Sequence, residues 1–340
     1  MRYDSPYGPF TPYGDPRYYI AMQEEKKLIR RESNRLGWTA LLGILLLSVL
    51  FDGGIFYCRI LQGYQSGPAD FRGINPVLFY LIYSLSYALG LFVPVLLYFV
   101  LRKIPLSSGL PFEKVGGVKI LACVLMGSAG CMLCNFPAGI VVNVEQKFGF
   151  QGTIPDMPLS DSSAVLALYV LSVAVIPPIV EEMMFRGMIL QGLRRFGDGF
   201  AVVASAVLFG LYHGNFAQSV FAFLCGLILG FVVVRTNSLL PSILIHAVNN
   251  GVSVVIQMVE RYRGAAEAVM AGEIRAAVLL LLGVIAALFL YLKDRNFFQS
   301  GPPSLPLRFS QKLGALFSNP GVLMVTVYAV AASVYTLTAA

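Results

Sequence analysis

The sequence has little charge, very little histidine and no recognisable secretory leader. Only 13% of its 340 residues are charged, whereas 57% are hydrophobic. A soluble domain of this length cannot bury so much apolar surface, so the composition favours a lipid bilayer as the solvent. The first apolar run starts after about 36 polar residues, without the short apolar core and cleavage site of a signal peptide. We therefore expect the first helix to be a retained membrane anchor.

Cysteine is also scarce, and all five cysteines lie within apolar runs or at their ends. Cys131 and Cys134 have the spacing of a redox or metal motif, but no second cysteine pair accompanies them. We interpret the five cysteines as small packing residues inside helices.

Long apolar runs dominate the chain, and about 20 such residues span the hydrocarbon of a bilayer. Nine runs approach or exceed that length: 37–58, 77–101, 118–142, 163–190, 200–214, 217–234, 239–258, 275–292 and 321–339. The fifth and sixth runs are short and almost contiguous, which predicts a tight hairpin. The predicted fold class is all-α, a polytopic membrane bundle of about eight to nine transmembrane helices with an intramembrane active site.

Basic residues favour alternate loops. The N-terminal segment and the loops after the second, fourth and eighth runs carry several Lys and Arg residues, and Arg235 follows the sixth run, whereas the seventh loop, which carries Arg275, is mixed. Because basic loops stay on the cytoplasmic side, the N-terminus is predicted to be cytoplasmic. The net charge of +7 therefore needs no nucleic acid as a partner. Compact loops and the lack of targeting signals favour a bacterial plasma membrane.

Composition divides the chain into four parts. These are a partly disordered cytoplasmic segment (1–36), three transmembrane helices (37–142), a core with the unusual polar residues (160–258), and C-terminal helices with a proline-rich linker (259–340). Within the first part, residues 24–35 could form a helix on the membrane surface or a solvated charged helix. The linker itself is predicted at 294–320.

The polar residues of the core are unusual for membrane helices. The two histidines of the entire chain, His213 and His246, fall in predicted spans, as do the adjacent Glu181 and Glu182. Ionisable residues inside membranes are rare and usually functional. Their joint occurrence here favours a functional site over four unrelated structural residues.

Helical spacing groups these residues further. Glu182 and Arg186 are four apart and can pair on one face, whereas Glu181 lies about 100° round the helix. In the same way His246 and Asn250 can face one pocket. A carboxylate beside a histidine can take a proton from an attacking water, and a second histidine with an amide can stabilise an oxyanion. These groups suffice to hydrolyse a peptide bond.

Each piece also has a purely structural reading. The Glu182–Arg186 pair could stabilise a helical bundle, and His213 could be a hydrogen-bonded core residue. His246 could form a structural hydrogen bond between helices. Two other functions use the same groups. One is an ion- or proton-coupled transporter, although no inverted repeat is visible; the other is a catalytically inactive scaffold or immunity protein.

Three motifs in this order resemble the CPBP family of intramembrane proteases. They are EExxxR at 181–186, FxxxH at 209–213 and HxxxN at 246–250. The family includes CAAX prenyl endopeptidases and bacterial bacteriocin-processing or self-immunity (Abi) relatives. Each motif alone is a weak signal, but the set on successive membrane helices is specific. The resemblance covers about 160–258.

The resemblance implies a membrane-embedded hydrolase, a glutamate-dependent protease of the CAAX endopeptidase type. By analogy Glu181 activates a water with help from His213. His246 and Asn250 would stabilise the oxyanion. The substrate would be a membrane-anchored or hydrophobic peptide or protein, prenylated or not.

The resemblance also raises the question of a metal. Members of the family are often called metalloproteases, and Glu181, His213 and His246 could bind Zn²⁺. The zinc-protease signature H-E-x-x-H is absent, so the sequence does not require a cofactor. Glu182 and Arg186 would support the site.

Overall fold

The computed structural model describes residues 16–62, 68–152, 157–299 and 306–339. These residues are almost entirely helical, apart from one antiparallel pair of three-residue strands, β1 (Phe150–Gly152) and β2 (Leu337–Ala339). Within these described residues, seven helices are long and apolar enough to cross a bilayer. The chain is a multi-pass integral membrane protein, and the predicted all-α membrane bundle is confirmed.

Fourteen α-helical segments follow one another along the described chain. They are α1 (Pro16–Gln62), α2 (Pro76–Arg102), α3 (Leu106–Gly109), α4 (Gly117–Leu133), α5 (Asn135–Lys147), α6 (Ser163–Val170), α7 (Ile176–Glu182), α8 (Leu190–Arg194), α9 (Asp198–Tyr212), α10 (Phe216–Thr236), α11 (Leu239–Arg263), α12 (Ala265–Lys293), α13 (Phe309–Phe317) and α14 (Pro320–Tyr335). Two π-helical segments join α6 to α7 and α7 to α8. Together these five segments form one run, Ser163–Arg194, called the fourth span below.

The nine predicted apolar runs correspond to seven long helices, one shorter helix and one bent pair. The long ones are α1, α2, α4 with α5, the fourth span, α10, α11 and α12. By contrast α9 has 15 residues, and α13 and α14 meet at an angle of 76°. If that pair is one span, the total is eight. The predicted hairpin is present, because α9 and α10 pack together across a turn of three residues.

The charged N-terminal segment is part of the bundle. α1 continues without a break for 47 residues, and one face of its first half is buried, including Glu25 and Glu32. Glu25 pairs with the equally buried Lys312 of α13 at 2.9 Å. The expectation of a solvated or membrane-surface helix at 24–35 is wrong for this face. Residues 1–15, where disorder is predicted, lie outside the described residues.

The predicted basic loops meet at one end of the bundle. Glu32 lies 3.2 Å from Arg195, after the fourth span, and 3.9 Å from Arg102, at the end of α2. Arg194 donates to the side chain of Asn237, between α10 and α11, at 2.8 Å. β1, in the third loop, instead pairs with β2 after α14. The alternation of loops predicted from charge therefore agrees with the fold.

The C-terminal segment packs closely on α1. The predicted linker 294–320 contains α13, so the linker prediction is wrong in that part. Next to it, a Cβ atom added to Gly321 would lie 2.2 Å from the backbone oxygen of Asn34 on α1. Small residues allow membrane helices to approach in this way. Glycine at this position thus brings α14 against α1.

Candidate active site

The fourth span is irregular where it passes the site. The prolines at 177–178 lack backbone N–H groups and cannot bond the carbonyls one turn before them. A π-helical turn at Leu171–Val175 directly precedes them, and a second one at Met183–Ile189 follows α7. Such turns are frequent at functional sites. The segment between them ends with Glu181 and Glu182.

Glu182 forms a buried ion pair with Arg186. Arg186 Nη1 donates to Glu182 Oε1 at 2.9 Å, and both side chains are 0% exposed. The guanidinium also lies 4.1 Å from the ring centre of Phe209 on α9, which is a cation–π contact. The ion pair expected from the helical spacing is therefore present. The cation–π contact of Arg186 joins the fourth span to α9.

His246 of α11 lies between the two glutamates. Its Nδ1 is 3.0 Å from Glu182 Oε1, and its Nε2 is 3.6 Å from Glu181 Oε2. Only a protonated ring nitrogen can donate to a carboxylate, so Nδ1 carries a hydrogen. Glu182 Oε1 accepts from Arg186 as well, so this single oxygen connects the ion pair to α11.

Glu181 has one oxygen that is held and one that is free. Oε1 accepts a hydrogen bond from the hydroxyl of Tyr87 on α2. Tyr87 in turn accepts a hydrogen bond from the Tyr212 hydroxyl at 3.4 Å. Glu181 Oε2 makes no hydrogen bond with any described residue. The carboxylate is thereby oriented, and the hydrogen-bonding capacity of Oε2 is left unused by the described residues.

His213 follows the last residue of α9. Its Nδ1 lies 2.8 Å from the carbonyl oxygen of Phe209, so Nδ1 carries the hydrogen and Nε2 keeps its lone pair in the neutral ring. Gly214 comes next with φ 56°, a left-handed conformation that favours glycine. This turn ends α9 at His213. Because Nδ1 carries the hydrogen, Nε2 of His213 is left as a hydrogen-bond acceptor.

Asn250 of α11 compensates for the missing N–H of a proline. Its Nδ2 donates to the carbonyl of Val173 at 3.0 Å. In an α-helix that carbonyl would accept from the backbone N–H of residue 177, which is Pro177 and has none. The second hydrogen of the Asn250 amide is not used by this bond. The same residue therefore joins α11 to the fourth span and retains a donor.

Four of the six predicted site residues line one cavity of about 270 Å³, called the Glu181 cavity below. They are Glu181, His213, His246 and Asn250. The other two, Glu182 and Arg186, do not line it and lie against His246 instead. Several apolar side chains, such as Phe221 and Leu229, complete the wall. Convergent polar groups in a largely apolar cavity are typical of a binding site.

Comparison with known proteins agrees with the motifs. Residues 163–252 match the Rce1-like family, described as type II CAAX prenyl endopeptidase Rce1-like. This match and the three motifs support a resemblance to the CPBP family over residues 163–252, called the CPBP segment below. The chain is also similar to the membrane-embedded CAAX protease MroQ of Staphylococcus aureus (strain USA300), with 28% identity over 147 residues. No solved structure gives a significant match.

These matches cover only part of the chain. The alignment with MroQ includes 41% of this chain and 59% of MroQ, so the chain spans less than two thirds of that relative. The CPBP segment runs from the start of α6 into α11 and contains all six predicted site residues. Tyr87 lies outside it.

Tyr87 and Tyr212 are the site residues that sequence reasoning misses. Tyrosine is common in this chain, which has 17, and Tyr87 precedes Glu181 by 94 positions. Its position gives no signal that it contacts the acid. Tyr212 does carry a weak signal, because it directly precedes a histidine of the CPBP motifs.

The three side chains that could bind zinc, Glu181, His213 and His246, do not form a complete zinc site among the described residues. The Nδ1 atoms of His246 and His213 bond to Glu182 and to a backbone carbonyl, as they also would in histidines that bind a metal through Nε2. In the part of the chain that the structure describes, no group of three or more His, Cys, Asp and Glu side chains could hold a metal ion. Tetrahedral zinc in a hydrolase usually has three protein ligands, so this arrangement does not fit one.

Proposed function

We propose that the CPBP segment forms an intramembrane endopeptidase that hydrolyses a peptide bond of a membrane-associated protein or peptide. One observation carries this proposal. Glu181 Oε2 makes no hydrogen bond with the described residues, and Glu181 lines the same cavity as both histidines and Asn250. A carboxylate so placed can hold and deprotonate a water.

In the first step the water attacks the scissile carbonyl. Glu181 Oε2 accepts a hydrogen bond from the water and takes its proton as the oxygen bonds to the carbonyl carbon. His213 Nε2 accepts the second hydrogen of the water and orients it. The hydroxyl of Tyr87 on Oε1 keeps the carboxylate in place. Positioning of this kind contributes strongly to rate.

The tetrahedral intermediate then carries a negative charge on the former carbonyl oxygen. Asn250 can donate its second amide hydrogen to that oxygen, and His246 can donate from Nε2. For this the imidazole must carry a proton on both nitrogens, because Nδ1–H is bonded to Glu182. Carboxylate oxygens lie within 4 Å of both ring nitrogens and can accept from them.

In the last step the intermediate collapses. Glu181 gives the proton to the amide nitrogen, the carbon–nitrogen bond breaks, and a carboxylic acid and an amine are released. Glu182 and Arg186 touch no reacting atom in this scheme. They are positioning residues, because the pair holds His246 through a shared oxygen.

The same proposal includes a location. We place the N-terminus in the cytoplasm and the protein in a bacterial plasma membrane. Support comes from the basic residues gathered at one end of the bundle, such as Arg102 and Arg195 near Glu32, because basic loops stay in the cytoplasm. The apolar wall of the Glu181 cavity favours a membrane-anchored or hydrophobic substrate.

A reconstituted assay tests the proposal. The purified protein in proteoliposomes is mixed with a panel of prenylated and unprenylated hydrophobic peptides, and products are identified by mass spectrometry. We expect wild type to cleave at least one class of peptide and Glu181→Ala to cleave none. Cleavage that is unaffected by Glu181→Ala would reject the role of this acid.

Two other functions give different results in the same vesicles. A scaffold or immunity protein would bind peptides without cleaving any. A proton-coupled transporter would acidify or alkalinise the vesicle lumen when substrate is added, and a pH-sensitive dye inside the vesicles would report it. We expect no dye response from peptides that are cleaved.

A further inference from the structure

A second, smaller cavity lies beside the Glu181 cavity. It measures about 40 Å³ and is formed by side chains of α4, α5, α10, α11 and α12. The two cavities share Phe221, Asn249 and Ser253 as lining residues. We call the smaller one the Arg275 cavity, after the charged side chain that lines it. Its lining is mainly polar and includes Ser128 and Asn135.

Arg275 has no anionic partner in the described parts of the chain. The sequence places it in a mixed loop, but it lies about 15 Å, or nearly three turns, inside α12. It forms no ion pair with the described acids, and its buried Nε makes no hydrogen bond with them. The Arg275 side chain is half-buried, and a partly desolvated cation gains from an anionic partner. This cavity is therefore suited to an anion.

Ser128 provides a second, independent donor. The residue is only 4% exposed, its hydroxyl has no partner among the described residues, and it lines the same cavity from α4. A hydroxyl and a guanidinium that both lack acceptors can together bind one acceptor-rich group. The cavity has room for roughly three water-sized groups, which suits the three heavy atoms of a carboxylate better than a phosphodiester.

The position relative to the catalytic groups favours the substrate as the source of that carboxylate. His246, Asn249 and Ser253 follow one another along α11, and seven residues of helix advance roughly 10 Å. An extended peptide advances about 3.3–3.6 Å per residue. One short peptide segment can therefore reach from the catalytic groups to Arg275.

We propose that Arg275 and Ser128 bind a carboxylate of the peptide substrate while its scissile bond lies beside Glu181. This inference rests on the proposed endopeptidase function. It assigns Arg275 to substrate recognition and gives it no part in the chemical steps. A neutral substitution should then raise KM and leave kcat nearly unchanged.

The test compares three matched peptides that differ only in charge. One has a free C-terminal carboxylate, one is amidated, and one is amidated but has an aspartate near its end. We measure kcat and KM in neutral phosphatidylcholine vesicles for wild type, Arg275→Gln, Arg275→Lys and Ser128→Ala. Arg263→Gln is the matched control, because Arg263 is exposed and lies one helix earlier.

Wild type should prefer one carboxylate peptide over the neutral peptide by about 10- to 100-fold in kcat/KM. Arg275→Gln should abolish this preference by raising KM for the carboxylate peptide. Arg275→Lys should keep part of the preference, and Arg263→Gln should leave kcat and KM unchanged. The preferred peptide tells whether the terminal or the side-chain carboxylate is bound. Equal effects of Arg275→Gln on charged and neutral peptides would overturn the proposal.

Two further measurements distinguish a bound substrate carboxylate from a bound lipid and from an absence of cleavage. If the Arg275→Gln effect appears only in vesicles with anionic phosphatidylglycerol, a lipid headgroup occupies the cavity and the inference is wrong.

If wild type cleaves no peptide, the endopeptidase proposal fails, and fluorescence anisotropy then measures binding of the labelled peptides directly. Tighter binding of the carboxylate peptide that Arg275→Gln removes would still support the carboxylate site. Equal binding of all three peptides would contradict it.

Discussion

His246 Nδ1 lies 3.0 Å from Glu182 Oε1. The histidine is therefore oriented by an acid that does not itself line the Glu181 cavity. This explains why two adjacent glutamates are useful in a membrane helix. One acid faces the cavity and can do chemistry, while its neighbour is neutralised by Arg186 and holds a ring in place.

Replacing Glu182 should impair catalysis more than binding. Glu182→Gln leaves Arg186 without an anionic partner and weakens the bond that orients His246. Misplacement of a catalytic group by about 1 Å can cost on the order of 100-fold in rate. We expect kcat to fall by that order with KM nearly unchanged, measured by steady-state cleavage in proteoliposomes.

The matched control for this experiment is Glu145→Gln. Glu145 is another buried glutamate, located on α5 away from the ion pair. Its substitution removes an acid from the bundle without touching His246, so kcat should stay within about twofold of wild type. Equal losses in both variants would show that Glu182 acts only through stability.

Removing the Tyr87 hydroxyl should slow the first step. Tyr87→Phe keeps the ring but deletes the hydrogen bond to Glu181 Oε1. Hydrogen bonds to charged groups contribute about 1.5–3 kcal/mol, so we expect kcat to decrease roughly tenfold. Tyr83→Phe is the control, because the Tyr83 ring lies 5.7 Å from the ring of Tyr87 and its hydroxyl makes no bond to Glu181.

The two tyrosine variants give a clear contrast. A similar decrease in both would indicate loss of packing and not of the hydroxyl bond. No decrease in Tyr87→Phe would show that the acid is oriented without it. Melting temperatures of the detergent-solubilised variants serve to exclude unfolding as the cause.

Much of the site could be predicted because its residues are rare in membrane helices. Two histidines and two adjacent acids in apolar runs stand out, and their helical spacing gives the Glu182–Arg186 pair. The spacing of residues along one helix does not predict which side chains of other helices they contact. Thus the position of His246 between two acids depends on tertiary packing, as does the Tyr87 contact.

Other parts of the fold left no readable signal. The sequence shows the prolines at 177–178, but not the π-helical turns on either side of α7 or the Asn250 amide that bonds the Val173 carbonyl. Nor does it reveal α13, because the prolines and charges around it suggest a linker. Lysine is seldom buried, so the sequence does not predict that Lys312 is buried against Glu25.

That buried pair gives a prediction about stability. Lys312→Met leaves the Glu25 carboxylate buried without its cation, which should destabilise the protein by about 3–5 kcal/mol. Lys312 Nζ also donates to the Phe196 carbonyl at 2.7 Å, so the loss affects the junction of α13 with the fourth span. Chemical denaturation in mild detergent measures it.

A double variant tests the pair itself. Glu25→Gln with Lys312→Met removes both charges and should recover part of the lost stability, because the two residues are in contact. Specific activity per folded molecule should remain close to wild type in all three variants. Full additivity of the two losses would contradict a direct interaction.

Metal chelation should leave cleavage intact. The described His, Cys, Asp and Glu side chains form no group of three that could hold a metal ion. We expect wild-type activity to survive dialysis against 1,10-phenanthroline, with less than one zinc per ten proteins by mass spectrometry, on the order of a contaminant. Activity that is lost on chelation and restored by Zn²⁺ would contradict the proposed mechanism.

The most direct measurement is the single-turnover cleavage rate of Glu181→Gln in vesicles. Glutamine can still accept the Tyr87 hydrogen bond but cannot take a proton from water. With peptide binding shown to be unchanged by anisotropy, we predict that this rate falls by about 10²- to 10⁴-fold. A Glu181→Gln rate close to that of wild type would contradict the assignment of Glu181 as the general base.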